Sequence, residues 1–160
     1  MKKRIKISAK AIKHSNSGDF KRREDVRKKQ DLPPHQKYIL TGGGHGQANI
    51  RKLKRKKIGY NITRIFPNGV RLGNIPTHRH PYKRKGERQA WFPKSWNVLD
   101  IKNAAKKILS KEPFSRKYKE IGKKYKGVNM MVYINDGEVR TICPKYDQPT
   151  SNRKKKKWRK

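Results

Sequence analysis

Val128-Asn129-Met130-Met131-Val132-Tyr133-Ile134, the triplet Asn135-Asp136-Gly137, and Glu138-Val139-Arg140-Thr141-Ile142-Cys143 decide how this chain folds. Two runs of strand-forming residues flank a turn that ends in glycine, and that order predicts a β-hairpin. The arrangement recurs upstream, where 60–66 and 70–75 flank Pro67-Asn68-Gly69. Between the two hairpins lies a helix start. Asn97 can cap it with Asp100 at the third helical position, and Val98, Ile101, Ala105 and Ile108 form its apolar stripe. Ahead of the first hairpin a weaker helix carries Ile50 and Leu53 on one face, with Gly59 placed to stop it. Helix, hairpin, helix, hairpin predicts an α+β fold: a small antiparallel sheet of hairpins with N-terminal and central helices. No internal repeat is visible.

Outside this region the composition changes. Residues 1–34 and 150–160 are almost without core formers, whereas 35–149 hold most of the aromatic and branched residues. The pattern predicts one domain over 35–149, a normal size for a single core. It is flanked by a basic N-terminal arm over 1–34 and a basic C-terminal tail over 150–160. The arm includes Lys21, Arg22, Arg23, Arg27, Lys28 and Lys29, and Pro33-Pro34 punctuates its end. The domain opens on the extended stretch Tyr38-Ile39-Leu40, which runs into Gly42-Gly43-Gly44-His45-Gly46.

Forty-six Lys and Arg against eleven Asp and Glu leave a formal charge of +35 on 160 residues. Self-repulsion on that scale opposes compaction unless a counter-charge is present, and phosphate backbones bind such proteins through release of condensed counterions. No apolar run approaches the ~20 residues of a spanning helix, so a membrane partner is not expected. The first thirteen residues are basic without an apolar segment, unlike a signal peptide. Cys143 stands alone, which excludes an intrachain disulfide and a cysteine-based zinc site. A reducing compartment is the expected setting, with no metal or cofactor.

Four of the five histidines fall within 35–149: His35, His45, His78 and His80. A pair of imidazoles is the simplest apparatus for cutting RNA. One takes the proton from a ribose 2′-hydroxyl, which attacks its own 3′ phosphate, and the other protonates the departing 5′ oxygen. A cation or hydroxyl donor steadies the charge on phosphorus, and DNA lacks the nucleophile. His45 sits in a glycine-rich turn whose N–H groups could approach a phosphate, or in a flexible loop where it is incidental. His78-Arg79-His80 precedes Lys83, Arg84 and Lys85, and reads either as catalytic or as a basic loop touching phosphates. Thr141 is a strand former that could also donate a hydroxyl. Lys94 is a further candidate phosphate ligand. Trp91, Phe92 and Trp96 read as core, because they lead into the central helix. Lys154, Lys155, Lys156 and Lys157 form a polycation suited to RNA.

Several blocks resemble the bacterial EndoU-type nuclease domains of the barnase/EndoU/colicin/RelE-like superfamily. Ile39-Leu40-Thr41-Gly42-Gly43-Gly44-His45-Gly46-Gln47-Ala48-Asn49-Ile50 and Ile58-Gly59-Tyr60-Asn61-Ile62 look like their opening. Asn68-Gly69-Val70-Arg71-Leu72-Gly73-Asn74-Ile75-Pro76-Thr77-His78 looks like a second histidine block. Gln89-Ala90-Trp91-Phe92-Pro93-Lys94-Ser95-Trp96, with Asp100-Ile101 after it, is similar to the Phe-Pro-x-x-Trp signature. Gly127-Val128 and Thr141-Ile142-Cys143-Pro144 resemble the closing hairpin, so the likeness spans about 35–146 in family order.

The resemblance implies an endoribonuclease that leaves 2′,3′-cyclic phosphates, usually the C-terminal part of a secreted or contact-delivered bacterial toxin acting in the cytoplasm. It implies His45 and His78 as the catalytic pair and Thr141 as the third position. Many members carry a histidine directly before Ile-Leu, where this chain has Tyr38, so His35 is held in reserve; His80, Arg79 and Lys94 are secondary candidates. RNA, with tRNA and rRNA as candidate substrates, is the expected partner. A toxin also needs a neutralising immunity protein, and a +35 chain calls for an acidic one. The competing reading is a non-enzymatic basic RNA-binding protein of ribosomal type, which the charge and tails suit equally. A DNA-binding accessory role has no groove-reading motif in its favour.

Overall fold

Ser8 turns its side chain onto the amide of Ala11 and starts a helix where composition predicts a coreless arm. The structure is a computed structural model describing residues 2–26 and 32–151. Helix α1 (Ala9–Asn16) buries Ala11, Ile12 and Ser15, and strand β1 (Asp19–Arg22) follows it. Ala11 and Ile12 belong to the main core. The expectation of an arm over 1–34 is therefore corrected: two apolar residues on one short helix suffice to dock it, although the lysines around them dominate the composition. Arg27, Lys28 and Lys29 lie outside the described residues, as does most of the tail expected over 150–160.

Strand β2 (Tyr38–Gly42) pairs antiparallel with β1, the register shifting between Asp19 and Phe20. Helix α2 (Gln47–Arg55) buries Asn49, Ile50 and Leu53. Strands β3 (Asn61–Ile65), β4 (Arg71–Asn74) and β5 (Gln89–Trp91) make a three-stranded sheet in that order. In the β3–β4 turn the Gly69 amide bonds to the Phe66 carbonyl and Gly69 takes φ 92°, which glycine accepts without strain. Helix α3 (Val98–Leu109) begins on the expected capping box, with Asn97 and Asp100 exchanging side-chain-to-amide bonds. Its stripe is buried at Ile101, Ala105 and Ile108, whereas Val98, in the first turn, is exposed.

Strands β6 (Lys119–Tyr125), β7 (Val128–Asn135) and β8 (Glu138–Pro144) form the last antiparallel sheet. Asp136 and Gly137 both take positive φ, as a two-residue primed hairpin turn requires. A Cβ on Gly137 would also lie 2.4 Å from the Phe114 ring. Strand β6 escapes the sequence pattern because it is an edge strand with Ile121 as its only buried residue, and lysines on an edge discourage further pairing. The architecture is α+β, in small antiparallel sheets.

Two clusters of buried side chains meet at β5. Phe92 packs into the larger core with α1, α3 and β6–β8, while Trp91 joins Leu40, Ile50, Leu53, Ile58 and Ile75. Phe92 stacks on Trp96, so these aromatic residues serve packing as expected. One buried hydroxyl locks α1 to β8: Ser15 Oγ donates to the Ala11 carbonyl and accepts from the Ile142 amide at 2.9 Å. Removing that oxygen orphans a buried amide, at a cost of about 1–3 kcal/mol. Ser15→Ala should lower the free energy of urea unfolding by that amount; a change below about 0.5 kcal/mol, the scale of an ordinary surface substitution, would show that the contact does not hold the helix.

Candidate active site

A helix leaves its last carbonyls without intrahelical partners. In α1 those groups meet the glycine-rich loop. The amides of Gly44, His45 and Gly46 donate to the carbonyls of His14, Ser15 and Asn16 at 2.9, 2.6 and 2.9 Å. Such close approach needs glycine, since a Cβ at Gly43 would lie 2.1 Å from the His14 carbonyl oxygen and one at Gly46 1.9 Å from Asn16 Oδ1. These amides are therefore spent inside the protein, and the expectation that they cradle a phosphate is corrected. Their work is to hold His45 beside α1.

His45 is buried, and its Nδ1–H donates to the Ala90 carbonyl at 2.8 Å. A carbonyl can only accept, so this bond fixes the tautomer and leaves Nε2 with a free lone pair. Burial holds the ring's pKa well below the ordinary histidine value, and the Lys83 ammonium pushes it further down. At neutral pH the ring is uncharged. His45 lines a cavity of about 470 Å³ together with Thr141, Lys83 and Tyr133.

Thr141 faces Tyr133 across the β7–β8 ladder. Its Oγ1 lies 3.2 Å from Nε2 of His14, at the C-terminal end of α1. The other ring nitrogen of His14 donates to the Asp19 carboxylate at 2.5 Å. Thr141 thus joins two histidines, one on the cavity wall and one behind its own hydroxyl. Tyr133 has its pKa raised to about 12, chiefly by burial, so it keeps its hydroxyl proton. Burial lowers the Lys83 pKa and pushes the Cys143 thiol up to about 12. Among the described residues no three His, Cys, Asp or Glu side chains are grouped to hold a metal ion.

The remaining candidates are dispersed. His78 is fully buried outside this cavity; its Nδ1 accepts from the His80 amide at 2.9 Å and its Nε2 has no partner. His80, Arg79, Lys85 and Lys94 are exposed. Arg84 spends Nε on the His78 carbonyl and Nη2 on that of Arg79, which ties the loop. His35 lines a separate basic groove with Tyr38. Lys154, Lys155, Lys156 and Lys157 lie outside the described residues. A candidate that sequence reasoning missed is His14. Its only sequence signal is Ser8 before Ala11, Ile12 and Ser15: a cap followed by a short buried face.

The model of the bacterial EndoU nuclease family matches residues 8–146. The chain belongs to that family. The match begins upstream of 35 and takes in α1, so the nuclease domain includes the helix that carries His14. No curated protein and no solved structure matches the chain.

Two buried neutral histidines make the EndoU domain acid-sensitive. Burial lowers the His78 pKa to about 3, and that of His45 falls well below 6.5. In the unfolded chain both titrate near ~6.5, so between that value and the folded pKa the unfolded state binds more protons. Stability is then complete above pH ~6.5 and is lost as pH falls, by at most about 1.4 kcal/mol per pH unit for each histidine. His78→Asn keeps an acceptor for the His80 amide and should flatten this acid slope in urea titrations run at several pH values. An unchanged slope would show that His78 is not held neutral.

Proposed function

We propose that this EndoU nuclease is a metal-independent endoribonuclease that leaves 2′,3′-cyclic phosphate ends, with His45 as general base and His14 as general acid. His45 Nε2 accepts the proton of the 2′-hydroxyl; the 2′ oxygen bonds to phosphorus as the bond to the 5′ oxygen breaks. Nε2 of a protonated His14 gives that oxygen a proton, while Asp19 orients the ring and offsets its charge. Lys83 and the Thr141 hydroxyl, which line the same cavity, hold the non-bridging oxygens. The observation that carries this reading is Thr141 itself, which lines the His45 cavity and touches His14. His78, buried outside that cavity, then serves its loop rather than the chemistry.

Total RNA incubated with the purified protein should be cut equally well with and without EDTA. Digestion of the fragment ends should reveal cyclic phosphates. His14→Ala and His45→Ala should each lower the rate about 10²-fold or more, whereas His78→Asn should cut almost as fast as wild type. RNA affinity should barely change in the single variants, because the lysines dominate it. Wild-type cleavage by His14→Ala would sink the assignment. No cleavage by the wild-type protein would leave a purely RNA-binding role.

The same reading makes the chain a toxin module acting in a bacterial cytoplasm, neutralised by an acidic immunity protein that covers the His45 cavity. What supports it is the family together with the +35 charge, which favours fast association with an acidic partner. Expression alone should arrest growth, and both His45→Ala and the acidic partner should relieve the arrest. Harmless accumulation of active wild-type protein without any partner would remove the toxin reading.

A further inference from the structure

Behind the His14–Asp19 pair lies a second cavity, a groove of about 720 Å³ between α1, α2 and the β1–β2 ribbon. That is within the about 300–1,000 Å³ usual for ligand sites. Lys13, Lys37, Lys52, Arg55, Lys56 and Lys57 line it, with Asp19 as the one carboxylate among the described lining residues, and that carboxylate is already engaged by His14. Two partly exposed rings are set among the cations. Lys56 Nζ lies 3.8 Å from the centre of the Tyr38 ring and 5.3 Å from that of Phe20, and Lys52 Nζ lies 5.8 Å from Phe20.

We propose that this groove is an RNA subsite, holding backbone phosphates beside the scissile bond on Lys52, Arg55 and Lys56 and one unpaired base against Tyr38. The proposal rests on the catalytic reading above for its direction, because Asp19 belongs both to the groove and to the His14 pair. Three features favour single-stranded RNA as occupant. The cations crowd one another: besides burial, the charges of Lys13, Lys56 and Arg55 lower the Lys52 pKa, a repulsion that a bound anion relieves. The aromatic faces among them suit bases, whose stacking is tolerant of sequence. The ammonium over Tyr38 supplies an exchange, leaving the ring for a phosphate as a base takes its place. An acidic protein surface would use the cations but not the rings.

A short single-stranded RNA with every 2′-hydroxyl methylated binds without being cut, so its affinity reports the groove independently of catalysis. The triple variant Lys52→Gln, Arg55→Gln, Lys56→Gln should flatten the slope of log K against log salt by about 2, at ~0.7 per lost contact to a single strand. Removing the same charge from the outer face of α3, by Lys102→Gln, Lys106→Gln and Lys107→Gln, should change it far less. Tyr38→Leu should weaken binding about tenfold at any salt, and Tyr38→Trp, which keeps a ring, should restore it. Equal loss in the two triple variants would overturn the subsite. So would an unaffected Tyr38→Leu variant whose groove is blocked by polyglutamate as well as by RNA, which would assign the surface to an acidic protein. A failed groove test with inactive His14→Ala and His45→Ala variants would leave the catalytic reading standing. A retained groove with active histidine variants would do the reverse.

Discussion

Three hydrogen bonds between the end of α1 and the loop Gly44–Gly46 govern both the fold and the site. They satisfy helix carbonyls that would otherwise be orphaned. They also bring residues about thirty positions apart in the chain into direct backbone contact, so that His14 and His45 are set by one piece of geometry. The bonds form only because Gly43, Gly44 and Gly46 carry no Cβ where His14, Asn49 and Asn16 stand. Asn49 continues the brace: its Nδ2 donates to the Ser17 carbonyl while its Oδ1 accepts from the Trp91 indole. Polar groups from three separate segments therefore share one buried network, where every unmet partner would carry a desolvation cost.

How much of this was legible in the chain depends on range. Both hairpins, the capping box at Asn97 and the α2 stripe follow from residues a few positions apart, and local rules find such features. His45 and Thr141 were legible as candidates because a glycine cluster and a family block drew attention to them. The helix α1 was not, since eight residues with three buried positions give a weak period against a background of lysine. Without α1 the sequence gives no reason to single out His14, and a pairing falls to the histidines within 35–149. His78 filled that place by its position in the sequence, yet burial sets it apart from the cavity it was expected to share. The glycine loop misled for a related reason. Glycines permit close approach, but the sequence does not say whether to a phosphate or to a helix end.

The placement of charge reconciles a +35 chain with a packed core. Lysines on β6 and on the outer face of α3 stand in solvent, where water and salt screen them. The positions turned inward on the same elements are apolar, as at Ile121, Ile101 and Ile108. Pairing with carboxylates contributes little to this solution, because the ion pairs among the described residues are mostly between exposed partners. Cation–π contacts at Phe20, Tyr38 and Tyr82 take some cations that have no ion pair among the described residues.

The cavity turns that excess charge to use. Lys83 sits where its ammonium helps keep His45 unprotonated, so the base of the proposed mechanism is neutral in the free protein. In the proposed mechanism a phosphate held by Lys83 cancels part of that field, which raises the proton affinity of His45. A base that is bare before binding and stronger after it is favoured at both stages of proton transfer. His14 has different surroundings, a carboxylate at one nitrogen and a hydroxyl at the other. The two imidazoles to which the proposed mechanism gives different tasks thus have different neighbours, and the contacts between α1 and the glycine loop hold the two rings' backbones together.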